Sequence, residues 1–167
     1  MTADAKRPTG RNAEGELSLT VSRVIHAPRE RVFDAWVKPE LRRQWWLNNR
    51  GQPLAACEID ARIGGRYHME EYYDLPDEPK YGANYLWTLD GEFLEIDRPK
   101  RLVFSWNVNH MPPVVNHRVT VEFREVPDGT EVTITHIGQM DAKMRDGTYG
   151  GWSELLEHIE RVFGRGT

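Results

Sequence analysis

From Leu17 the chain alternates strictly: Leu19, Val21, Arg23 and Ile25 share one parity, and Thr20, Ser22, Val24 and His26 the other. A period of two places successive side chains on opposite faces of a strand, so this segment predicts one, ended by Ala27-Pro28. Pro28 suits the first turn of a helix, where its missing N–H has no partner to lose. Val32, Phe33, Trp36 and Val37 then follow at helical spacing, and beyond Lys38-Pro39 Leu41 and Trp45 lie four apart. Two short helices are expected after the first strand.

The alternation resumes with Cys57, Ile59, Ala61 and Ile63 against Glu58, Asp60 and Arg62, which predicts a second strand. Gly64-Gly65 supplies the backbone freedom of a tight reversal into Tyr67 and Met69. After a charged, proline-bearing excursion over 74–83, strands return through Tyr85, Trp87 and Leu89 to Ile96, and through Leu102, Phe104 and Trp106. A loop is expected over 107–116. Pro127-Asp128-Gly129-Thr130 then reverses the chain between Val119, Val121, Phe123 and Val132, Ile134, His136. Past Gly138 the period changes: Trp152, Leu155, Leu156, Ile159, Val162 and Phe163 recur at three and four from Gly150-Gly151 onward, predicting an amphipathic terminal helix. Strand, two helices, about six strands and a final helix favour an α+β fold with an antiparallel sheet.

Residues 1–15 carry Pro8, Gly10, Gly15 and scattered charges but little apolar surface to offset the entropy of ordering, and are expected as a disordered tail. Residues 16–167 suffice for one domain. A net charge of -4 argues against a nucleic-acid binder, and the arginines Arg29, Arg31, Arg42 and Arg43, interleaved with Glu30, Asp34 and Glu40, read as a mixed-charge solvated face. The lone Cys57 forms no internal disulfide, and neither a membrane-length apolar run nor a secretory leader is visible, so a cytoplasmic location without membrane contact is expected.

These pieces together resemble the START-like (SRPBCC) superfamily, in its Aha-type branch, related to the C-terminal domain of the heat-shock-protein ATPase activator. The resemblance rests on the strand Leu19 to Ile25 with Arg23, Ala27-Pro28 and Val32-Phe33, and Pro39-Glu40-Leu41 leading to Trp45-Trp46. It continues through Gly64-Gly65, Gly91 to Pro99 with Arg101-Leu102-Val103, Asp128-Gly129-Thr130 leading to His136 and Gly138, and the Gly151-Trp152 helix. It implies a helix-grip fold, a curved antiparallel sheet wrapped around a long C-terminal helix with a cavity between them. The superfamily includes lipid carriers, hormone receptors, cyclases and cochaperone domains, so the fold alone selects no activity.

Within such a cavity the candidate ligand-lining residues are Arg23, Tyr67, Met69, Trp87, Trp106, His136, Leu155 and Ile159. His136 shares the inward parity of Val132 and Ile134, and serves either ligand recognition or a backbone hydrogen bond in the core. Arg23 shares the parity of Leu19 and Val21 and needs a partner, either a carboxylate such as Glu95 or a ligand acid, unless it is exposed. Of the aromatics, Tyr67, Trp87 and Trp106 with Met69 are expected on the pocket wall, and Trp36 and Trp152 between helices. Gly64-Gly65 fits neither phosphate-binding glycine pattern, and His110 and His117 lack a metal-binding context, so no cofactor, metal or nucleotide is indicated. No serine stands in a nucleophile elbow.

The leading expectation is noncatalytic binding of a small hydrophobic or amphipathic ligand. The alternatives are a chaperone ATPase-activator-like interaction through the outer sheet face, or a cavity-based cyclase or hydrolase using His136 with Glu95, Asp90 or Glu71. Monomer and homodimer are both compatible with the sequence.

Overall fold

A computed structural model describes residues 15–48, 50–73, 85–109 and 113–164. The elements are, in order, β1 Glu16–Ile25, α1 Arg29–Val37, α2 Pro39–Trp45, β2 Ala56–Ile59, β3 Arg66–Tyr73, β4 Tyr85–Asp97, β5 Arg101–Val108, β6 Val114–Val126, β7 Gly129–Gln139 and α3 Ala142–Phe163. The seven strands form one sheet in the order β1-β7-β6-β5-β4-β3-β2, antiparallel throughout. Only the β1–β7 pairing joins strands distant in sequence; the others are hairpin neighbours, as expected of runs joined by tight turns. Register shifts in β4 between Phe93 and Glu95, and in β5 between Trp106 and Val108, interrupt the ladder, and such irregularities bend strands.

One face of the sheet is apolar and closes on the helices. Leu19, Val21 and Ile25 of β1, Val119, Val121 and Phe123 of β6, and Val132 and Ile134 of β7 meet Val32, Phe33 and Trp36 of α1 and Leu156, Ile159 and Phe163 of α3. The long helix is also pinned by polar contacts. The His26 backbone N–H donates to Glu160 Oε2 at 2.9 Å, and its Nδ1 lies 2.6 Å from Oε1. His158 Nδ1, facing an oxygen that can only accept, donates to the Trp45 carbonyl at 3.1 Å. A bidentate pair from Arg98 to Asp34, 3.0 and 3.1 Å, ties α1 to the β4–β5 turn and holds the Asp34 carboxyl below its ordinary pKa. This is the helix-grip arrangement, with α3 held against the concave side of the sheet.

Four expectations need correction. The second strand stops at Ile59, and residues 60–65 make the turn, leaving Ile63 68% exposed; alternation there continued past the end of pairing. The terminal helix begins at Ala142, capped by Asp141, whose side chain accepts from Met144 N at 2.8 Å. Its glycines hid that start, because glycine inside a helix costs about 1 kcal/mol relative to alanine and reads as a break. The expected 107–116 loop is strand at both ends, since β5 runs to Val108 and β6 starts at Val114, and 110–112 lie outside the described residues. Finally, Arg42 is no part of a solvated face. It is 3% exposed, donates twice to the Trp36 carbonyl (3.0 and 2.7 Å), and its guanidinium sits 5.1–5.3 Å from the ring centroids of Trp36, Trp45 and Trp46. Flat, weakly hydrated and rich in donors, a guanidinium suits such an aromatic site. Of the expected tail only Gly15 is described, and the 74–83 excursion, His110 and Asn49 lie outside the described residues.

Candidate functional site

A cavity of about 600 Å³ opens between the β3–β7 part of the sheet and α3 from Lys143 to His158. Its sheet wall follows from side-chain alternation. On β3 the parity of Tyr67 and Met69 continues to Glu71 and Tyr73, and Glu71 pairs across the ladder with Trp87 of β4. On β5 the same logic turns Trp106 inward, opposite His117 of β6. Trp46, the residue after α2, and Trp152 of α3 complete an aromatic lining. Ring centroids lie 5.1 Å apart for Trp106–Trp152, 5.7 Å for Trp46–Trp152 and 6.1 Å for Trp46–Trp106.

The helix wall is bare by composition. Gly147 and Gly151 stand four apart on the cavity side of α3, and a Cβ added at either meets nothing within 4 Å. Each mid-helix glycine gives up about 1 kcal/mol of helix stability. At these two positions the loss coincides with space that a side chain would occupy. Beside Trp46, Asn48 holds the adjoining loop. Its side-chain amide donates to the Tyr72 carbonyl at 2.6 Å, and its oxygen accepts from the N–H groups of Arg50 and Gln52, both at 2.9 Å.

Two buried polar features interrupt the apolar wall. The first is a directional hydrogen-bond chain. Trp152 Nε1 can only donate, so at 3.1 Å His136 Nδ1 must accept. Neutral His136 therefore carries its proton on Nε2 and donates it 2.9 Å to His117 Nδ1. His117 in turn holds a proton on Nε2, which it donates to the Gln139 carbonyl at 3.0 Å. Both rings are neutral. Burial, and next the neighbouring His117, push His136 from 6.5 down to about 3, and burial also lowers His117. Gly138 makes the chain possible, because a Cβ there would overlap the His117 ring.

The second is Glu71, 1% exposed, whose charged form is favoured by the neighbouring Tyr73 and Trp46 side chains. Its Oε2 has no partner among the described residues. Burial raises its pKa from 4.5 to about 7. The sequence offered Glu71 only as one of three interchangeable acid partners for His136, with Glu95 and Asp90; its parity with Tyr67 and Met69 was the signal that it faces inward. His117, on the parity of Val119 and Phe123, was legible in the same way.

Of the expected lining residues, Trp87, Trp106, His136 and Leu155 border the cavity, and Trp152, expected mainly to pack helices, joins them. Arg23, Tyr67, Met69 and Ile159 do not. Tyr67 points away into the core, its hydroxyl donating to the Ser105 carbonyl at 2.6 Å and its ring meeting Phe93 and Phe104. Met69 and Ile159 are fully enclosed by neighbours. Arg23 is half-buried on edge strand β1, opposite Val132, and its Nε lacks a partner among the described residues. The expected partner Glu95 is exposed and paired instead with Arg101 at 3.2 Å. Both ring nitrogens of His136 are engaged, so an acid–base role there has no free lone pair to use.

A curved antiparallel sheet gripping a long helix around an aromatic cavity defines a START-like domain. The chain belongs to the family described as activator of Hsp90 ATPase homolog 1-like protein, whose model matches residues 26–164. Among solved structures it is similar to a Chromobacterium violaceum protein at 23% identity, covering 87% of this chain and 96% of that one with a TM-score of 0.73. A Rhizobium loti protein is 28% identical over 87% of this chain and 96% of that one, TM-score 0.66. An AHSA1-like protein from Aeromonas hydrophila is 21% identical over 86% and 90%, TM-score 0.66. No curated protein matches the chain. Among the described residues, no helix is long and apolar enough to cross a membrane.

Proposed function

We propose that the protein binds a small hydrophobic or amphipathic molecule, without transforming it, in the cavity between the sheet and α3. The observation that carries this reading is the aromatic wall of Trp46, Trp87, Trp106 and Trp152 around about 600 Å³, a size and lining typical of small-molecule sites. The two helix glycines that keep the opposite wall bare support it. Native mass spectrometry of the full chain after exposure to a cell extract tests it, together with tryptophan fluorescence titrations of Trp87→Phe and Trp106→Phe. Retention of a small molecule, and altered signal or affinity in both variants, is the expected result. A protein that retains nothing, with both variants titrating like the parent, would contradict it.

A second reading draws on the family description, which names an Hsp90 ATPase activator. The outer sheet face offers the exposed Tyr72 and Leu94 to a protein partner. Stimulation of the ATP turnover of the cell's own Hsp90, reduced by Tyr72→Ser, supports this role, and unchanged turnover dismisses it.

A further inference from the structure

Glu71 lies in a closed circuit of side chains. Starting at Tyr73, ring centroids step 6.1 Å to Trp87, 6.1 Å to Trp106 and 6.1 Å to Trp46. The two ends, Tyr73 and Trp46, both act on Glu71, favouring its charged form. Successive rings are inclined by 63°, 63° and 41°, so none lies flat over the next. All five side chains border the cavity.

Two properties of this circuit favour a positive charge. Aromatic faces carry the negative lobe of the ring quadrupole and attract a cation within about 6 Å of the centroid. Glu71 adds a carboxyl group whose second oxygen, itself buried, has no partner among the described residues. A buried acceptor left unpaired costs about 1–3 kcal/mol, more if charged, and native structures seldom keep one without a use. The wider lining leans the same way: besides Glu71 it includes Asp141 and Glu154, and Lys143 is its one Lys or Arg among the described residues. His117 and His136 are held neutral by their hydrogen-bond chain.

We infer that the cavity takes an amphipathic ligand bearing an aliphatic ammonium group, seated among Tyr73, Trp87, Trp106 and Trp46 with the Glu71 carboxylate as its counter-ion. The inference rests on the cavity being a ligand site and specifies the chemistry of its polar end. The alkyl part lies toward the Trp152, Leu155 and glycine side. With a pKa raised to about 7, Glu71 needs only a nearby cation to stay ionised at neutral pH.

Three probes of equal chain length separate the outcomes at pH 7: octylammonium, 1-octanol and octanoate, titrated calorimetrically into the full chain. Octylammonium is expected to bind at least about tenfold more tightly than octanol, a difference within reach of one ion pair plus cation–π contact, with octanoate weakest. In Glu71→Gln that preference collapses, while octanol affinity stays within about twofold. Binding of octanol or octanoate as tight as that of the ammonium overturns the inference and leaves the cavity reading standing. If none of the three binds, both fall. A Glu71→Gln protein that keeps the ammonium preference removes Glu71 from the role, and the parent's ranking stands as a test even if that variant fails to fold.

Discussion

The Trp152 indole N–H donates to His136 Nδ1 at 3.1 Å, joining the long helix to β7 and fixing the tautomer of two buried histidines. The bond is structural and borders the cavity at once, so removing it acts on both. Trp152→Phe keeps most of the packing but leaves His136 Nδ1 unpaired. An unfolding free energy lower by about 1–3 kcal/mol is expected in urea titrations. Nitrogen-15 shifts of the imidazoles should also lose the single-tautomer pattern of the parent. An unchanged pattern would mean that the indole does not set the tautomer.

Stability should depend on pH through two opposing groups. His136 is depressed to about 3 from 6.5, so the unfolded chain binds more protons between those values, and stability falls as the pH drops below 6.5. For one such group the loss is about 2 kcal/mol at pH 5. Glu71 is raised to about 7 from 4.5, so its contribution is full below 4.5 and is lost as the pH rises through 7. Glu71→Gln removes only the second term. Relative to the parent, the variant should gain about 3 kcal/mol between pH 4.5 and 8, read from chemical unfolding at each pH. A difference that is flat across that range would show that the Glu71 carboxyl is not desolvated.

Gly138 serves the histidine chain by having no side chain. Gly138→Ala should displace the His117 ring, break the His117–His136 bond and destabilise the fold by about 2–4 kcal/mol. His117→Ala relieves the clash, so the double variant should be much less destabilised than the sum of the singles. Additive losses in a double-mutant cycle would disprove the contact.

The frame of this fold was legible because its signals are local. The parity of Leu19, Val21 and Ile25, the Asp128-Gly129 reversal and the three-and-four spacing from Trp152 to Phe163 each follow from short-range geometry. The site was half legible. Trp87, Trp106 and His136 could be assigned to an inward face by counting residues, but counting could not separate cavity wall from packed core: Tyr67 and Met69 share Glu71's parity yet lie in the core. That distinction depends on what the opposite element presents. Here it was set by Gly147 and Gly151, which lie inside a helix that the sequence read only from Gly150-Gly151 onward, whereas Asp141 caps it six residues before Gly147. Arg42 was misplaced, and Glu71 could not be told apart from Glu95 and Asp90, for a shared reason: a charge signals solvent unless its surroundings, here three indoles for one and Trp46 and Tyr73 for the other, are known in space.

The cavity itself is tested most directly by filling it. Gly151→Leu adds a side chain where a Cβ meets nothing within 4 Å and replaces a poor helix former with a good one. Calorimetric titration with octylammonium, alongside a thermal melt, compares it with the parent. A variant at least as stable as the parent with binding reduced by about tenfold or more is the expected outcome. Binding by Gly151→Leu as tight as by the parent would contradict the placement of the ligand between the sheet and α3.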